Sequence, residues 1–313
     1  MNIQQFQYII ALAELKHFEK AADKCFISQS TLSTMISKLE DELGILIFDR
    51  KKKPVEITAE GLPIIEQLKK INKEIGHLIE LSKEIKGEMK GSLTISVIPT
   101  IAPFLLPLFL TDFAAKFPNL DIEVREHTTS EILRQIKSRD LDIGIVSIPI
   151  NDKDIQEMKL YDEPFVFFDS GLQNEQTVKA KDLDLSNLCV LEEGHCMRNQ
   201  VLELCNFYDN HLSHKLNFKY KAGSIDSLLR FVKASNASTL LPYLSAREFS
   251  ENESTHVSEF ADPVPYRTVG LVVHRHFVKH KILEMLQKEI MDKISVILPE
   301  KDLVGKKLMP FAV

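Results

Sequence analysis

The sequence predicts a winged helix-turn-helix module at the N-terminus, then a long linker helix, then an α/β domain of two lobes. Three observations carry this expectation. The first sixty residues hold three short blocks of apolar residues at helical spacing, followed by apolar alternation around a basic turn. Residues 59–86 carry an apolar seam that steps by four and three. From Leu93 the rhythm becomes strand, helix, strand, in two sets with a return to the first.

In the first block Phe6, Ile9, Ile10 and Ala13 recur along one helical face. "HFEKAADKCF" gives a short helix with Ala21, Ala22 and Cys25 inward, and "ISQSTLSTMISKLEDELG" opens on Ser28, a side chain suited to cap a helix, and ends at Gly44. Two short helices with a tight connection fit a helix-turn-helix, whose second helix enters the major groove of DNA. Its start, Ser28, Gln29, Ser30, Thr31 and Ser33, offers small hydrogen-bonding groups to base edges and phosphates. "ILIFDRKKKPVEIT" then reads as a wing of two short strands. The basic run Arg50, Lys51, Lys52 and Lys53 within it is open to two readings, a solvated loop or a set of phosphate contacts.

From Ala59 to Lys86 the seam runs through Ile64, Leu68, Ile71, Ile75, Leu78 and Ile85, with Ser82 at the missing step. Such a helix packs on its own module or on a second copy. Pairing is favoured, because a dimer reaches two half-sites. Gly87 and Gly91 break the helix, so residues 1–58, 59–90 and 91–313 are expected to form the DNA-binding module, the linker and hinge, and the α/β domain. The strand and helix blocks divide that domain into one lobe of residues 91–162 and 266–313 and another of 163–265. "LCVLEE" and "LNFKYKA" are expected as strands of the second lobe, with Cys189 in the former. In such sheets ligands bind outside the carboxyl ends of the strands.

The net charge of −6, from 39 Lys and Arg against 45 Asp and Glu, argues against coating nucleic acid along the whole chain but leaves local binding open. The start has neither the basic nor the long apolar region of a secretion signal, and no apolar run reaches a membrane span, so a cytoplasmic protein without membrane attachment is expected. Four cysteines, Cys25, Cys189, Cys196 and Cys205, lack zinc-ligand spacing, and neither a metal nor a cofactor is expected. In "LEEGHCMRNQVLELC" two of them stand nine apart in a loop that runs into a helix. On one ideal helix their Cα atoms are about 13 Å apart, whereas a disulfide needs about 7 Å or less. Either the pair has no meaning or joining it takes the helix apart.

The stretch "FEKAADKCFISQSTLSTMISKLEDELGILIFDR", above all Ile27 to Ser33 and Phe48-Asp49-Arg50, resembles the winged helix-turn-helix of LysR-type transcriptional regulators. The resemblance covers almost the full length. It implies a linker helix used for dimerisation, a two-lobed regulatory domain like the periplasmic binding proteins, and a tetramer built from dimers. "GHCMRNQVLELC" is further similar to the redox segment of that family's peroxide-sensing branch. This resemblance implies that Cys196 is the peroxidatic cysteine and Cys205 the resolving one, joined in a reversible disulfide, with hydrogen peroxide as the oxidant signal. "IPTIAPFLLP" places Thr100 on a pocket position of that branch, Thr129 and the Arg267 of "YRTVGLV" match two more, and His195 matches the histidine beside the reactive cysteine. A thiolate at Cys196, favoured by helix amides and Arg267, is then expected. The implied partners are double-stranded promoter DNA, RNA polymerase, further copies of the chain and a thioredoxin- or glutaredoxin-type reductant, with activation of antioxidant genes and no enzymatic turnover. Asn199 departs from the branch, where an acid is expected, and the tail from Pro299 to Val313 runs past its usual end. The competing expectation is a LysR-type regulator whose inter-lobe cleft binds a small carboxylate.

Overall fold

The computed structural model describes residues 1–171, 177–183, 187–204, 221–298 and 305–310. Cys205 and residues 216–220 of the expected "LNFKYKA" strand lie outside the described residues. The chain forms two compact units, Met1–Gly87 and Glu88–Val313.

In the first unit α1 (Ile3–Leu15) starts on a reciprocal cap. The Asn2 side chain accepts from the Gln5 amide at 2.9 Å, and the Gln5 side chain accepts from the Asn2 amide at 2.7 Å. Helices α2 (Phe18–Lys24) and α3 (Gln29–Leu43) follow, and Ile9, Leu12, Ala21, Leu32, Ile36 and Leu39 make their common core. Cys25 packs against that core, as the spacing suggests, but at its edge. It caps the end of α2 and is half-buried, because α2 stops at Lys24 before the turn that would carry it inward. Strands β1 (Phe48–Asp49) and β2 (Glu56–Ile57) pair antiparallel to form the wing. The linker helix α4 (Gly61–Ile85) is about 37 Å long at 1.5 Å per residue. Its first half packs on the module through Ile65 and Leu68, while Leu78 and Ile85 farther along are exposed.

In the second unit β3 (Gly91–Val97), α5 (Ala102–Lys116), β4 (Leu120–Glu126), α6 (Thr129–Lys137) and β5 (Ile143–Ile148) form the expected parallel unit, with β3 between β4 and β5. β5 is buried at every residue, as a strand covered on both faces requires. The long β6 (Ile155–Asp169) begins well before the expected "PFVFF". The chain continues through β7 (Thr177–Val178), α7 (Cys196–Leu204), α8 (Ile225–Ala234), β8 (Ser238–Pro242), α9 (Tyr243–Ala246), α10 (Glu251–Ser254), β9 (Val257–Phe260), β10 (Val264–His274), α11 (His280–Ser295) and β11 (Gly305–Lys307). "LCVLEE" is not a strand: Leu188 and Leu191 each make one isolated bridge, to Ser238 and Ala222. Their apolar side chains are buried as core of the second lobe without a continuous ladder, and Cys189 is left half-buried beside β8.

Two long antiparallel strands tie the lobes. β10 pairs with β5 and with the first part of β6 in one lobe; from Phe165 onward β6 pairs instead with β8 and β9 in the other. Each lobe has its own apolar core, one around Phe109, Phe113 and Leu286, the other around Phe165, Phe168 and Leu240. At the crossing Arg267 on β10 stands opposite Glu163 on β6.

Candidate functional site

Gly194 turns the chain into α7 at φ +99°, a conformation that side chains with a Cβ rarely adopt. Cys196 is thereby the first residue of the helix, and it is 4% exposed. Its side chain belongs to the core of the first lobe, whereas Met197 and Val201 of the same helix belong to the core of the second. The body of α7 sits in one lobe and its first side chain is plugged into the other.

Around the thiol three helix starts converge. Thr129, the first residue of α6, donates from Oγ1 to Cys196 Sγ at 3.7 Å. Thr100, in the turn that leads into α5, lines the same small pocket together with His195. Arg267 donates to Thr100 twice, to Oγ1 at 3.0 Å and to the carbonyl at 3.1 Å. Its Nε meets Glu163 Oε2 at 2.9 Å, and the other Glu163 oxygen accepts from the Leu244 amide at 3.0 Å. Arg267 and Glu163 are 1% and 0% exposed, so this ion pair is dry and its partners are fixed. Cys196, Thr100, Thr129, His195 and Arg267 are thus brought together, as the sequence implies. Glu163 is the residue that sequence reading misses. The signal that could have found it is its place beside Pro164, opposite "PYR" on the returning strand.

The thiolate expectation is corrected. Burial pushes the Cys196 thiol above its ordinary value; the Thr129 hydrogen bond and the charge of Arg267 pull it down, but less than burial raises it. The reason is visible in the geometry, since the Arg267 charge is held by a carboxylate in direct contact. Below a raised pKa the thiolate fraction, and with it the rate of attack on an oxidant, grows about tenfold per pH unit. Stopped-flow oxidation of reduced protein is therefore expected to accelerate steadily from pH 6 to 8, and a flat profile over that range contradicts this reading.

In the DNA-binding module the Ser28 side chain accepts from the Thr31 amide at 3.1 Å and caps α3, and Ser28, Gln29, Ser30 and Thr31 are exposed. Ser33 is half-buried and accepts from Arg50 at 3.4 Å. Arg50 does not stand free for phosphate as the basic run suggests: it pairs with Glu40 at 2.5 Å and lies over the Phe18 ring. Lys52 pairs with Glu56, while Lys51 and Lys53 are exposed on the wing. Glu40, 3% exposed, also accepts from the Ile47 and Phe48 amides at 2.8 and 3.1 Å and so joins α3 to the wing. Glu40→Ala is expected to cost about 2–3 kcal/mol by stranding two buried amides. Urea unfolding of the full chain checks this, and a change under about 0.5 kcal/mol, the range of ordinary surface substitutions, contradicts it.

Residues 3–62 match the bacterial regulatory helix-turn-helix proteins of the lysR family, and residues 86–287 match the LysR substrate binding domain. The chain belongs to the LysR family of transcriptional regulators, in its OxyR branch. It is 35% identical over 275 residues to the hydrogen peroxide-inducible genes activator of Pectobacterium carotovorum, covering 87% of this chain and 90% of that one. It is 34% identical to the DNA-binding transcriptional dual regulator OxyR of Escherichia coli, covering 87% and 89%. Among solved structures, a cysteine variant of full-length OxyR from Pseudomonas aeruginosa superposes with a TM-score of 0.70 at 29% identity, over 93% of this chain and 98% of that one. A hydrogen peroxide-bound cysteine variant of OxyR from Corynebacterium glutamicum gives 0.62 at 25% identity, over 97% and 98%.

Proposed function

We propose that the protein is a hydrogen peroxide-sensing, DNA-binding transcriptional regulator switched by a reversible disulfide between Cys196 and Cys205. The observation that carries this is Cys196 itself, the first residue of a helix in the second lobe, with its thiol buried in the first lobe against Thr129. Once the Cys196 proton is lost, the thiolate attacks one peroxide oxygen. The O–O bond breaks, the departing hydroxide takes up a proton as water, and Cys196 is left as sulfenic acid. The thiol of Cys205 then displaces that oxygen as a second water and forms the S–S bond, so two thiols lose two electrons and peroxide becomes two waters. Thr100, Thr129 and His195 line a small pocket beside Cys196; as it stands it has no space for a water-sized molecule, so it has to widen to admit peroxide.

Helix α7 as it stands excludes that bond. Cys196 and Leu204, the residue before Cys205 in the sequence, are about 12 Å apart along the axis, whereas a disulfide needs its Cα atoms within roughly 7 Å. Oxidation therefore unwinds at least part of α7 and withdraws Cys196 from the first lobe, which resets how the lobes meet. In a dimer joined along the bare half of α4, assembled further to a tetramer, this re-spaces the DNA-binding modules on promoter DNA and offers a new surface to RNA polymerase. A thioredoxin- or glutaredoxin-type dithiol returns the protein to its reduced form. The role is that of a regulator in the cytoplasm, without catalytic turnover of its own; no helix among the described residues is long and apolar enough to cross a membrane.

The carboxylate-binding alternative is disfavoured by the cleft. This space of about 630 Å³ is lined, among the described residues, by four carboxylates and two cations. Both cations are already held, Arg230 by Asp226 and Lys233 by Glu253. Footprinting of reduced and oxidised protein on genomic fragments that it selects tests the proposal. A redox-dependent change in the protected DNA is expected, lost in Cys196→Ser; identical footprints in both states overturn it.

A further inference from the structure

The segment Gly305–Pro310 lies against the helix that the disulfide has to open. Its strand β11 adds in parallel to the start of β10, with Gly305 beside Val264 and Lys307 beside Tyr266. The fit at Gly305 is close: a Cβ there would stand 2.1 Å from the Val264 carbonyl oxygen. Leu308 then donates its amide to the Tyr266 carbonyl at 2.8 Å and is fully buried in the core of the second lobe, alongside Met197 and Val201 of α7. Beyond this anchor each residue meets α7. The Leu308 carbonyl accepts from Gln200 Nε2 at 3.1 Å, the Met309 amide donates to Glu203 at 2.8 Å, and the Pro310 carbonyl accepts from Asn199 at 3.5 Å, the longest of the three. Gln200 also donates to Ser147 on β5 at 3.0 Å. One side chain of α7 is thus bonded to both the first lobe and the C-terminal segment.

We propose that this segment is a strap that latches α7 in its folded, reduced form and sets the rate at which Cys205 reaches the Cys196 sulfenic acid. The inference rests on the peroxide switch and adds a control to it. Among the described residues the strap's hydrogen bonds to α7 fall at 199, 200 and 203, in the middle and end of the helix, and none falls on the Cys196 thiol. Peroxide capture is therefore left alone, while unwinding has to break the contacts. After unwinding, the carbonyl of Leu308 and the amide of Met309 lose their partners on α7, so the strap favours the dithiol over the disulfide. Asn199 fits this role, because an amide can donate to the Pro310 carbonyl and a carboxylate cannot.

Two substitutions loosen the strap without deleting its buried anchor. Glu203→Ala removes the acceptor for Met309, and because alanine is the better helix former, any faster opening of α7 comes from the lost latch and not from a weaker helix. Gly305→Ala forces β11 off β10. Glu203→Gln keeps an acceptor oxygen and serves as the rescue. In reduced full-length protein, hydrogen exchange of the α7 amides is expected to quicken about tenfold in Glu203→Ala and Gly305→Ala, the factor that one net hydrogen bond carries in an opening equilibrium. After rapid mixing with hydrogen peroxide, Cys196 sulfenylation should keep its parental rate, and the following disulfide step should quicken by a similar factor; Glu203→Gln should match the parent in both. Unchanged α7 exchange in the loosened variants overturns the strap. Faster exchange with an unchanged disulfide step overturns its control of the switch. A parent protein that never links Cys196 to Cys205 removes the switch and this control with it, and the parent's own reaction separates that outcome from failure of the strap alone.

Discussion

Replacing Arg267 with alanine is expected to destabilise the regulatory unit by about 3–5 kcal/mol, because the change leaves the Glu163 carboxylate buried without its counter-charge. Glu163→Ala should cost a similar amount by stranding the guanidinium, which is 1% exposed. The pair acts as one object. An Arg267→Met, Glu163→Leu double variant, which removes both charges and keeps most of the volume, is accordingly expected to lose less than either alanine variant. Equilibrium unfolding in urea at neutral pH measures all three, and single-variant losses below about 1 kcal/mol, the range of an exposed ion pair, contradict the reading. A milder change, Glu163→Gln, leaves the Arg267 charge less neutralised beside the pocket. That favours the Cys196 thiolate, so peroxide oxidation should quicken even as stability falls.

The second large effect falls on chemistry rather than stability. Cys196→Ser is expected to lose the peroxide response outright, since a serine hydroxyl does not supply the thiolate that attacks the O–O bond. Cys25 and Cys189 do not replace it: burial raises both thiols as well, and neither lies in the pocket with Thr100, Thr129 and His195. The variant should fold, because serine keeps the shape of the side chain with one smaller atom and Thr129 can donate to its oxygen as it does to the sulfur. DNA binding by the Cys196→Ser protein should therefore match the reduced parent before and after peroxide. A peroxide-dependent shift that survives the substitution places the sensing elsewhere.

Much of this was legible in the sequence for reasons that remain local in the structure. The helix of residues 29–43 begins where Ser28 can cap it and ends where Gly44 takes a left-handed φ of +66°, both properties of single residues. The start of α7 is set in the same way by Gly194, whereas Thr100, Thr129, His195 and Arg267 were pointed to only by the resemblance to the peroxide-sensing branch. What stayed hidden depends on contacts far along the chain. Glu163 looks like a surface charge in "YDEP"; its role exists only because β10 returns more than a hundred residues later and places Arg267 opposite it. The first half of β6 alternates polar and apolar residues weakly, and pairing with β10 makes it a strand. The thiolate expectation failed for a related reason, since burial and the carboxylate that occupies Arg267 are both tertiary properties. Arg50 is the same case in the other unit, a cation that reads as a phosphate contact and is held by Glu40.

Helix α7 is both a structural element and a trigger. Met197, Val201 and the Leu308 anchor hold α7 in the second lobe, while Cys196 reaches into the first. A covalent change at one atom therefore acts on the contact between lobes, where a packed interface has discrete arrangements rather than a continuous range.

The most direct measurement is peptide mass mapping, without reduction, of fully reduced protein treated with one equivalent of hydrogen peroxide. The expected result is a linkage between Cys196 and Cys205 in the parent and its absence in Cys196→Ser. An unmodified Cys196, or slow oxidation scattered over Cys25 and Cys189 while a free thiol in the same tube reacts, contradicts the thiol switch.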